Sequence, residues 1–292
     1  MKTIAIYENK DKPNALHYAR EASKMLFQLG AKLIADNEFV QRLDEVERER
    51  FEIYPTNDFG KIADVAISFG GDGTILTLGK LLLESDVPIM GVNVGRLGFL
   101  AEFRVEDLEK GMKELVTGNY RLTDRSLLTA TCNGKKGYAL NDIVIERQLS
   151  SRMITIEAYA NNSHIADYKA DGLIVATPTG STAYNLSSGG PIIAPECQVF
   201  CLTPIAPHSL SLRPLVVPDS SEIRLVPHSR DGSTHLVMDG QEQLTVEDGQ
   251  TIFIRKSQNS IKLINTQSGS YFSSLKEKLS WAASSPVGAG GD

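Results

Sequence analysis

The stretch Ala63-Asp64-Val65-Ala66-Ile67-Ser68-Phe69-Gly70-Gly71-Asp72-Gly73-Thr74 decides the fold of the first part of the chain. Its first seven residues form a short, mostly apolar run, which is typical of a buried parallel strand. A glycine turn with one carboxylate follows, and the leucine-rich run 75–83 then predicts a helix. A strand that turns through glycines into a helix is suited to phosphate, because glycine allows close backbone approach and the first helical N–H groups point outward.

Asp72, at the centre of this turn, is unusual for a phosphate-binding loop. A carboxylate repels phosphate oxygens, so it must either meet a metal ion or accept a proton from a hydroxyl group. The combination indicates transfer of a phosphoryl group to an alcohol. A tight turn without chemistry is the alternative, since Asp and Gly are the commonest turn residues. The sequence contains no Gly-x-x-x-x-Gly-Lys-Ser/Thr loop, and no Gly-x-Gly-x-x-Gly follows its first predicted strand.

Strands and helices alternate through the first part of the chain. Strands are predicted at residues 4–7, 31–35, 63–69 and 88–93, and helices at 13–29, 75–83 and 105–117. This alternation predicts an α/β domain with an open, mostly parallel sheet and helices on its faces. The segment 38–51 is rich in charged residues and has no continuous apolar stripe, so we expect a solvated helix or a mobile connection there.

The pattern changes near residue 120, where short strand-like runs replace the alternation. They lie at residues 127–133, 137–146, 153–160, 163–169, 172–176, 199–203, 222–226, 235–239 and 251–256. Asn133-Gly134-Lys135 and Asn161-Asn162-Ser163 are typical of hairpin turns. Many short strands and few helices predict an all-β, sandwich-like carboxy-terminal domain. A strand at 260–265 and a helix at 273–281 should follow, and the Ser-, Gly- and Ala-rich tail 282–292 is expected to be disordered.

Composition narrows the classes of function. A chain of 292 residues suits two domains, and a net charge of −6 without a lysine–arginine block makes nucleic acid an unlikely partner. No apolar run approaches the roughly 20 residues of a membrane span, and the amino terminus reads as a first strand rather than a secretory signal. Of three cysteines, Cys197 and Cys201 lie four apart without a nearby histidine. They are expected to be buried thiols, and the chain to be cytoplasmic.

Three clusters of polar residues lie within or next to predicted strands, where apolar core residues would be expected. Asn141 and Asp142 separate two apolar runs of a predicted strand, and Lys169 and Asp171 precede another strand. The segment 177–184 places four hydroxyl residues and a tyrosine directly after a strand, where it can present N–H and hydroxyl donors to an anion or a ribose. Each cluster has a structural alternative: a strand end or bulge for the first, a turn for the second and an elaborate helix cap for the third.

With these motifs the chain resembles the NAD kinases, which phosphorylate the 2′-hydroxyl of the adenosine ribose of NAD to make NADP. The resemblance extends over residues 4–281. It rests on Gly70-Gly71-Asp72-Gly73-Thr74, Asn93-Val94-Gly95-Arg96-Leu97-Gly98-Phe99-Leu100, Asn141-Asp142, Asp171-Gly172-Leu173, the segment 177–184 with Ser188-Gly189-Gly190-Pro191, the segment 203–210, Arg213-Pro214, Asp239-Gly240-Gln241 and Tyr271-Phe272. The glycine turn alone is shared with lipid kinases, whereas the full set in this order is specific.

The resemblance implies a domain organisation and a set of partners. It implies an α/β domain over residues 1–122, a dinucleotide-binding β-sandwich domain over 123–258 and a segment, 259–281, that returns to the first domain. ATP or polyphosphate would serve as phosphoryl donor together with Mg²⁺ or another divalent cation, and NAD as acceptor. Family members are usually dimers or tetramers built through the β domain, so self-association is expected.

The resemblance also assigns roles to residues. Asp72 is implied to accept the proton of the 2′-hydroxyl, Asn141 and Asp142 to hold the ribose and amide ends of NAD, and a basic residue at Lys169 is similar to members that prefer NAD over NADH. No residue is assigned to the metal. The implied substrate- and nucleotide-binding residues are Gly71, Gly73, Thr74, Asn141, Asp142, Arg152, Lys169, Asp171, Thr182, Ala183, Tyr184, Asn185, Ser187 and Gln241.

Two other functions share part of this pattern. A lipid kinase of the diacylglycerol or sphingosine type would share the glycine turn, but the chain has no basic or amphipathic membrane-facing segment. A dinucleotide-binding regulator without turnover is the second alternative. Asp72 argues against it, because a protein that only binds phosphate gains nothing from a neighbouring carboxylate.

Overall fold

The computed structural model describes residues 1–95, 98–148, 152–230, 232–267 and 269–281, so the predicted disordered tail, 282–292, lies outside the described residues. The chain divides into two compact units. The first contains Met1–Asp124 and the chain from Lys262 onward, and the second contains Arg125–Ile261. No helix in the described ranges has both the length and the apolar character needed to cross a membrane.

The first unit is built on a parallel sheet. Its strands are β1 (Thr3–Glu8), β2 (Lys32–Ala35), β3 (Phe51–Ile53), β4 (Val65–Gly70), β5 (Ile89–Asn93) and β6 (Phe103–Arg104). The order is β3-β2-β1-β4-β5, with β6 beside β5, and every pair is parallel. Leu263 and Ile264 pair in parallel with β5, so the chain returns to this sheet near its carboxyl end.

Most of the described helices lie between these strands. The α-helices are α1 (Pro13–Gln28), α2 (Asn37–Gln41), α3 (Glu45–Arg48), α4 (Phe59–Ile62), α5 (Asp72–Leu81), α6 (Leu108–Thr117), α7 (Tyr184–Ser187) and α8 (Tyr271–Lys278), of which α7 belongs to the second unit. In α1 the buried residues Ala15, Ala19, Ala22 and Leu26 recur every three or four positions, so one face packs against the sheet. The α/β domain predicted from the sequence is confirmed.

The charged segment 38–51 is neither one solvated helix nor a mobile connection, which corrects the expectation for it. It contains α2 and α3, each begun by an aspartate: Asp36 accepts the Phe39 N–H at 2.7 Å and Asp44 accepts the Glu47 N–H at 2.9 Å. Phe39 and Val40 are buried in the core of the unit. Local caps and two apolar anchors thus order a segment that has no apolar stripe.

The second unit is rich in strands. The remaining strands of the chain are β7 (Arg121–Cys132), β8 (Lys135–Ala139), β9 (Asp142–Arg147), β10 (Ile154–Ala160), β11 (Ser163–Ala170), β12 (Gly172–Ala176), β13 (Val199–Ile205), β14 (Leu215–Pro218), β15 (Ile223–His228), β16 (Ser233–Met238), β17 (Glu242–Glu247) and β18 (Ile252–Asn265). One antiparallel sheet has the order β14-β13-β12-β9-β16-β17, and a second antiparallel group has the order β11-β10-β15-β18. Both contribute to one buried apolar cluster. The predicted β-rich carboxy-terminal domain is confirmed.

Several details of this unit differ from the sequence prediction. The run 137–146 is two strands, because the chain leaves β8 at Leu140 and starts β9 at Asp142, whereas 251–256 and 260–265 belong to one long strand, β18. Strands β14 and β17 were missed, since β14 is mostly exposed and β17 buries only one residue. Cys197 is exposed rather than buried, while Cys201 is buried as expected.

Both predicted hairpin turns are present. Asn133 and Gly134 have φ angles of 48° and 73°, and they join β7 to β8. Asn161 and Asn162 have φ angles of 47° and 68°, and they join β10 to β11. Two consecutive left-handed residues match the right-handed twist of the strands, which is why Asn and Gly are favoured at these positions.

Candidate active site

The glycine turn lies at the carboxyl end of β4, and Asp72 is the first residue of α5. A methyl group built on Gly73 would meet no atom within 4 Å, so the space above this residue is open. The positive end of the helix dipole also lies at this end of α5. The backbone of the turn is therefore accessible to an anionic ligand.

The Asp72 carboxylate is fixed by a backbone loop. Its Oδ2 accepts the Phe99 N–H at 2.6 Å, and its Oδ1 accepts the N–H groups of Leu100 and Ala101 at 3.0 and 3.2 Å. A Cβ atom on Gly98 would lie 1.9 Å from Oδ1, so only glycine permits the loop to approach this closely. The carboxylate consequently has one orientation beside the open turn.

Thr74 is buried, and its hydroxyl group shapes the turn. Its Oγ1 accepts hydrogen bonds from Asn9 Nδ2 at 3.1 Å and from the Gly71 N–H at 3.3 Å. A Cβ atom on Gly70 would lie 2.0 Å from the same oxygen. The described contacts of Thr74 are therefore with the protein itself, and Asn9, which sequence reasoning missed, joins the end of β1 to the turn.

Lys12 supplies positive charge that the sequence analysis did not find. Its Nζ lies 3.0 Å from the position of a Cβ atom on Gly71 and 3.4 Å from that on Gly95. The signal available in the sequence was a lysine just after the first strand of a parallel sheet, at the edge where such sheets bind ligands. Its ammonium group reaches the glycine turn.

Asn141 and Asp142 lie at the start of β9, where the backbone is hydrogen-bonded to a carboxylate that is remote in sequence. Asp239 accepts the N–H groups of Leu140, Asn141 and Asp142 at 2.9, 2.7 and 3.3 Å. Asp239 itself has a φ of 52°, in the turn that joins β16 to β17. Asp239 thus builds the Asn141–Asp142 site, although sequence reasoning gave it no role.

Asp142 is a buried carboxyl group with an altered acidity. The residue is 4% exposed, and burial, followed by the neighbouring charge of Asp239, raises its pKa to about 7. A group with this pKa exists in both protonation states near neutral pH, so it can donate or accept a hydrogen bond with a polar ligand.

Tyr184, Asp142 and Asp171 come together in the β-rich unit. Burial raises the pKa of Tyr184, and the carboxylates of Glu146, Asp142 and Asp171 raise it further. Asp171 forms an ion pair with Arg147, whose Nε lies 2.9 Å from Asp171 Oδ1. Sequence reasoning missed Glu146 and Arg147, because two adjacent charged residues at the end of a strand are typical of a solvent-exposed strand end. The cluster combines an exposed aromatic ring with acidic hydrogen-bond acceptors.

The segment after β12 is tied to the same strand end. Thr177 donates its N–H to the Asn141 carbonyl at 2.9 Å and its hydroxyl to the Leu140 carbonyl at 2.6 Å. Asn185 is fully buried. Its amide donates to the carbonyls of Ser181 and Pro191, both at 3.1 Å, and accepts from the Thr203 hydroxyl at 2.6 Å. Asn185 therefore holds the segment in shape, whereas Tyr184 and Ser187 are exposed and Thr182 and Ala183 are half-buried.

Arg152 and Lys169 line a cavity of about 680 Å³ in the same unit. Its lining includes further basic side chains and one carboxylate: His208, His228, Arg230 and Asp248. Among the described residues, neither Asp171 nor Tyr184 contributes to this lining. Gln241 is exposed, directly after the turn that carries Asp239, and its N–H bonds to the Met238 carbonyl at 3.0 Å. The predicted residues of this unit are thus distributed over more than one cluster.

The buried Asp142 should make stability depend on pH. Between about pH 4 and 7 the folded protein keeps a proton that the unfolded chain releases, so the free energy of unfolding falls as pH rises through this range. Asp142→Asn removes this titration and should be more stable than the wild type at pH 8, by on the order of 4 kcal/mol. Urea unfolding at several pH values measures the difference. Glu196→Gln, at an exposed carboxylate, should follow the wild type, and equal pH dependence in Asp142→Asn would contradict the assignment.

Two protein-family models match the chain. The model of the ATP-NAD kinase N-terminal domain matches residues 4–120, and that of the ATP-NAD kinase C-terminal domain matches residues 140–266. An NAD kinase of Bacteroides fragilis is 38% identical over 291 residues, covering 97% of this chain and 99% of the relative. An NAD kinase of Syntrophotalea carbinolica is 37% identical over 289 residues, covering 96% and 99%.

Solved structures agree with these matches. The crystal structure of yeast NADH kinase complexed with NADH has a TM-score of 0.90 and 25% identity, and covers 99% of this chain and 90% of that chain. The structure of an NAD kinase from Archaeoglobus fulgidus in complex with ATP has a TM-score of 0.77 and 26% identity, and covers 96% and 99%. Both domain models, the near-complete relatives and the shared fold lead to one assignment: the chain belongs to the NAD kinase family.

Proposed function

We propose that this chain transfers a phosphoryl group from ATP to the 2′-hydroxyl of the adenosine ribose of NAD, giving NADP. The observation that carries the proposal is the Asp72 carboxylate, which three backbone N–H groups fix beside an open glycine turn. A fixed proton acceptor next to an anion-accepting backbone suits phosphoryl transfer to an alcohol. The similar chains from Bacteroides fragilis and Syntrophotalea carbinolica are NAD kinases, and the similar archaeal enzyme was solved with ATP.

In this mechanism Asp72 accepts the hydroxyl proton as the phosphoryl group moves. Phosphoryl transfer passes through a loose transition state, so most of the catalysis comes from positioning and electrostatics. The backbone of Gly71 and Gly73 would lie close to the donor phosphates, and Lys12, whose Nζ reaches the same turn, would contribute a positive charge. Thr74 and Asn9 support the turn from below.

We propose that the divalent cation arrives with the phosphoryl donor. Within the described ranges, no group of three or more His, Cys, Asp or Glu side chains is placed to hold a metal ion. Mg²⁺ usually keeps several waters and binds through one or two carboxylates together with substrate phosphates. The ATP complex, or polyphosphate, would therefore bring the cation to the turn, where it would neutralise charge on the phosphates.

The β-rich unit is proposed to be the dinucleotide-binding sandwich domain, approximately residues 123–258, with 1–122 as the donor-binding domain and 259–281 as the returning segment. Asn141, Asp142, Asp171 and Tyr184 would hold the sugar and base ends of NAD, since they combine acceptors with an exposed ring. The remaining proposed contacts are Arg152, Lys169, Thr182, Ala183, Ser187 and Gln241, with Asn185 maintaining the segment's shape.

A coupled assay tests the proposal directly. The purified chain should form NADP from NAD, ATP and Mg²⁺, and a parallel reaction with polyphosphate determines whether ATP is the only donor. Phosphorylation of diacylglycerol or sphingosine instead of NAD would favour a lipid kinase. Binding of NAD without turnover, under conditions where an established NAD kinase is active, would favour the regulator.

We also infer that the chain self-associates as a dimer or tetramer and is cytoplasmic. The edge strand β14 exposes Leu215 and Val216, which suits an interface between copies of the β-rich unit. Its three cysteines are free thiols, which fits a reducing compartment. Light scattering on the purified chain measures the mass, and a monomer at micromolar concentration would refute the self-association.

Gly73→Ala should separate function from stability. The added methyl group enters open space at the start of α5, and alanine is favoured over glycine in a helix by about 1 kcal/mol, so the melting temperature should be equal or higher. The same methyl group would occupy space that a donor phosphate needs, so kcat/KM for ATP should fall about tenfold or more. Steady-state kinetics and thermal unfolding measure both effects. A variant with unchanged kcat/KM would place the phosphates elsewhere.

A further inference from the structure

The last residue of α8, Lys278, carries a buried ammonium group. Its Nζ lies 3.4 Å from the centroid of the Phe99 ring, and it is buried without a hydrogen-bond partner in the described part of the chain. An ion pair between Glu277 and Arg104, at 2.5 Å, also fixes this end of the helix. Burying an ammonium group is costly unless other groups compensate its charge. Packing alone therefore does not explain a lysine at this position.

Phe99 connects Lys278 with Asp72. The backbone N–H of Phe99 donates to Asp72 Oδ2 at 2.6 Å, while the face of its ring receives the Lys278 ammonium group. A desolvated cation over an aromatic ring is an attractive contact. One residue thus holds the carboxylate with its backbone and the ammonium group with its side chain.

Three carboxylates act on the Lys278 ammonium group. Burial lowers the pKa of Lys278 to about 8, and Asp72, Glu102 and Glu277 oppose this effect. Glu102 also has one buried oxygen, Oε2, without a hydrogen-bond partner in the described part of the chain. In a buried environment such charges interact strongly because little water screens them. The Lys278 ammonium group is consequently the positive counterpart of the carboxylates near Asp72.

We propose that Lys278 is a positioning residue of the phosphoryl-transfer site. Its ammonium group holds the Phe99 ring, and through Phe99 it holds the backbone that fixes the Asp72 carboxylate. Its charge also offsets the repulsion between that carboxylate and the oxygens of an incoming phosphoryl group. The inference rests on the proposed NAD kinase reaction and adds the carboxy-terminal helix to the residues that support it.

Lys278→Met tests the role, because methionine keeps much of the apolar stem and removes the charge. At pH 7, kcat for NADP formation should fall about tenfold, while KM for NAD should stay within about twofold of the wild type. The melting temperature should change little, because the desolvation cost that is removed offsets the lost attraction to the Phe99 ring and the carboxylates. Lys276→Met, at an exposed lysine of the same helix, is the matched control and should leave kcat unchanged.

The pH profile distinguishes a charge effect from a purely structural one. In the wild type the ammonium group loses its proton as pH rises through about 8, so kcat should decline there, and Lys278→Met should lack this decline. The ratio of the two kcat values should therefore be largest near pH 7 and approach one above about pH 9.5. A structural role alone would give a ratio that does not change with pH.

Phe99→Leu keeps the backbone N–H and removes the ring, so it provides a second test if Lys278→Met folds poorly. It should also lower kcat, whereas Phe272→Leu, at a phenylalanine that is 64% exposed, should not. Equal kcat for the wild type and both variants, or a ratio that is constant with pH, would overturn the role of Lys278 alone. A wild-type chain that forms no NADP would instead overturn the proposed reaction, and the inference with it.

Discussion

Asp72→Asn should lower kcat by about 10²- to 10⁴-fold, the range over which a positioned proton acceptor accelerates a reaction. The amide cannot take the proton of the 2′-hydroxyl, so the loss should appear in the chemical step. The proposed NAD contacts are in the β-rich unit, so the dissociation constant for NAD should change little. Steady-state kinetics and a direct titration with NAD separate the two effects.

The substitution also has a structural cost that must be measured. An asparagine oxygen can still accept the N–H groups of Leu100 and Ala101, but the amide nitrogen would face the Phe99 N–H, which needs an acceptor. The free energy of unfolding should fall by about 1–3 kcal/mol. Asp86→Asn, at a side chain that is 94% exposed, is the matched control for both stability and turnover. A stable Asp72→Asn enzyme with wild-type kcat would remove Asp72 from the mechanism.

Local patterns predicted the parts of the fold that depend on local sequence. The apolar run that ends in Phe69 and the glycines after it predicted a buried strand, a turn and a helix, because burial and close backbone packing restrict residue type directly. Strands β14 and β17 were missed for the opposite reason. Their side chains are mostly exposed, so the sequence does not show the alternation of apolar and polar residues that marks a half-buried strand.

The candidate site shows the same division. Asp72 and the segment 177–184 could be identified because unusual residue types stand at a turn and after a strand. Asp239 could not, since it acts on the backbone of Asp142 across 97 positions of sequence. Lys278 is even more remote in sequence from Phe99, whose ring it contacts. These groups come together only when residues that are far apart in sequence make contact in the folded protein. Local periodicity and motif spacing therefore could not predict them.

Gly180→Ala adds one methyl group and should lower the free energy of unfolding by about 3–5 kcal/mol. A Cβ atom on Gly180 would lie 2.0 Å from the Asn141 carbonyl oxygen and 2.5 Å from its Cα. That backbone cannot easily move, because Asp239 accepts its N–H and Thr177 donates to its carbonyl. Urea unfolding measures the loss, and Gly73→Ala, whose methyl group meets open space, provides the contrast.

The clash involves backbone atoms, which yields a sharper test with a second substitution. Asn141→Ala removes the side chain but leaves the carbonyl and Cα in place, so it should not relieve the effect of Gly180→Ala. The double variant should then keep the full loss of unfolding free energy that Gly180→Ala causes. Relief in the double variant would mean that the Asn141 side chain, rather than its backbone, excludes a methyl group. KM for NAD should rise in Gly180→Ala in either case, because any shift that accommodates the methyl group displaces the strand end that carries Asp142.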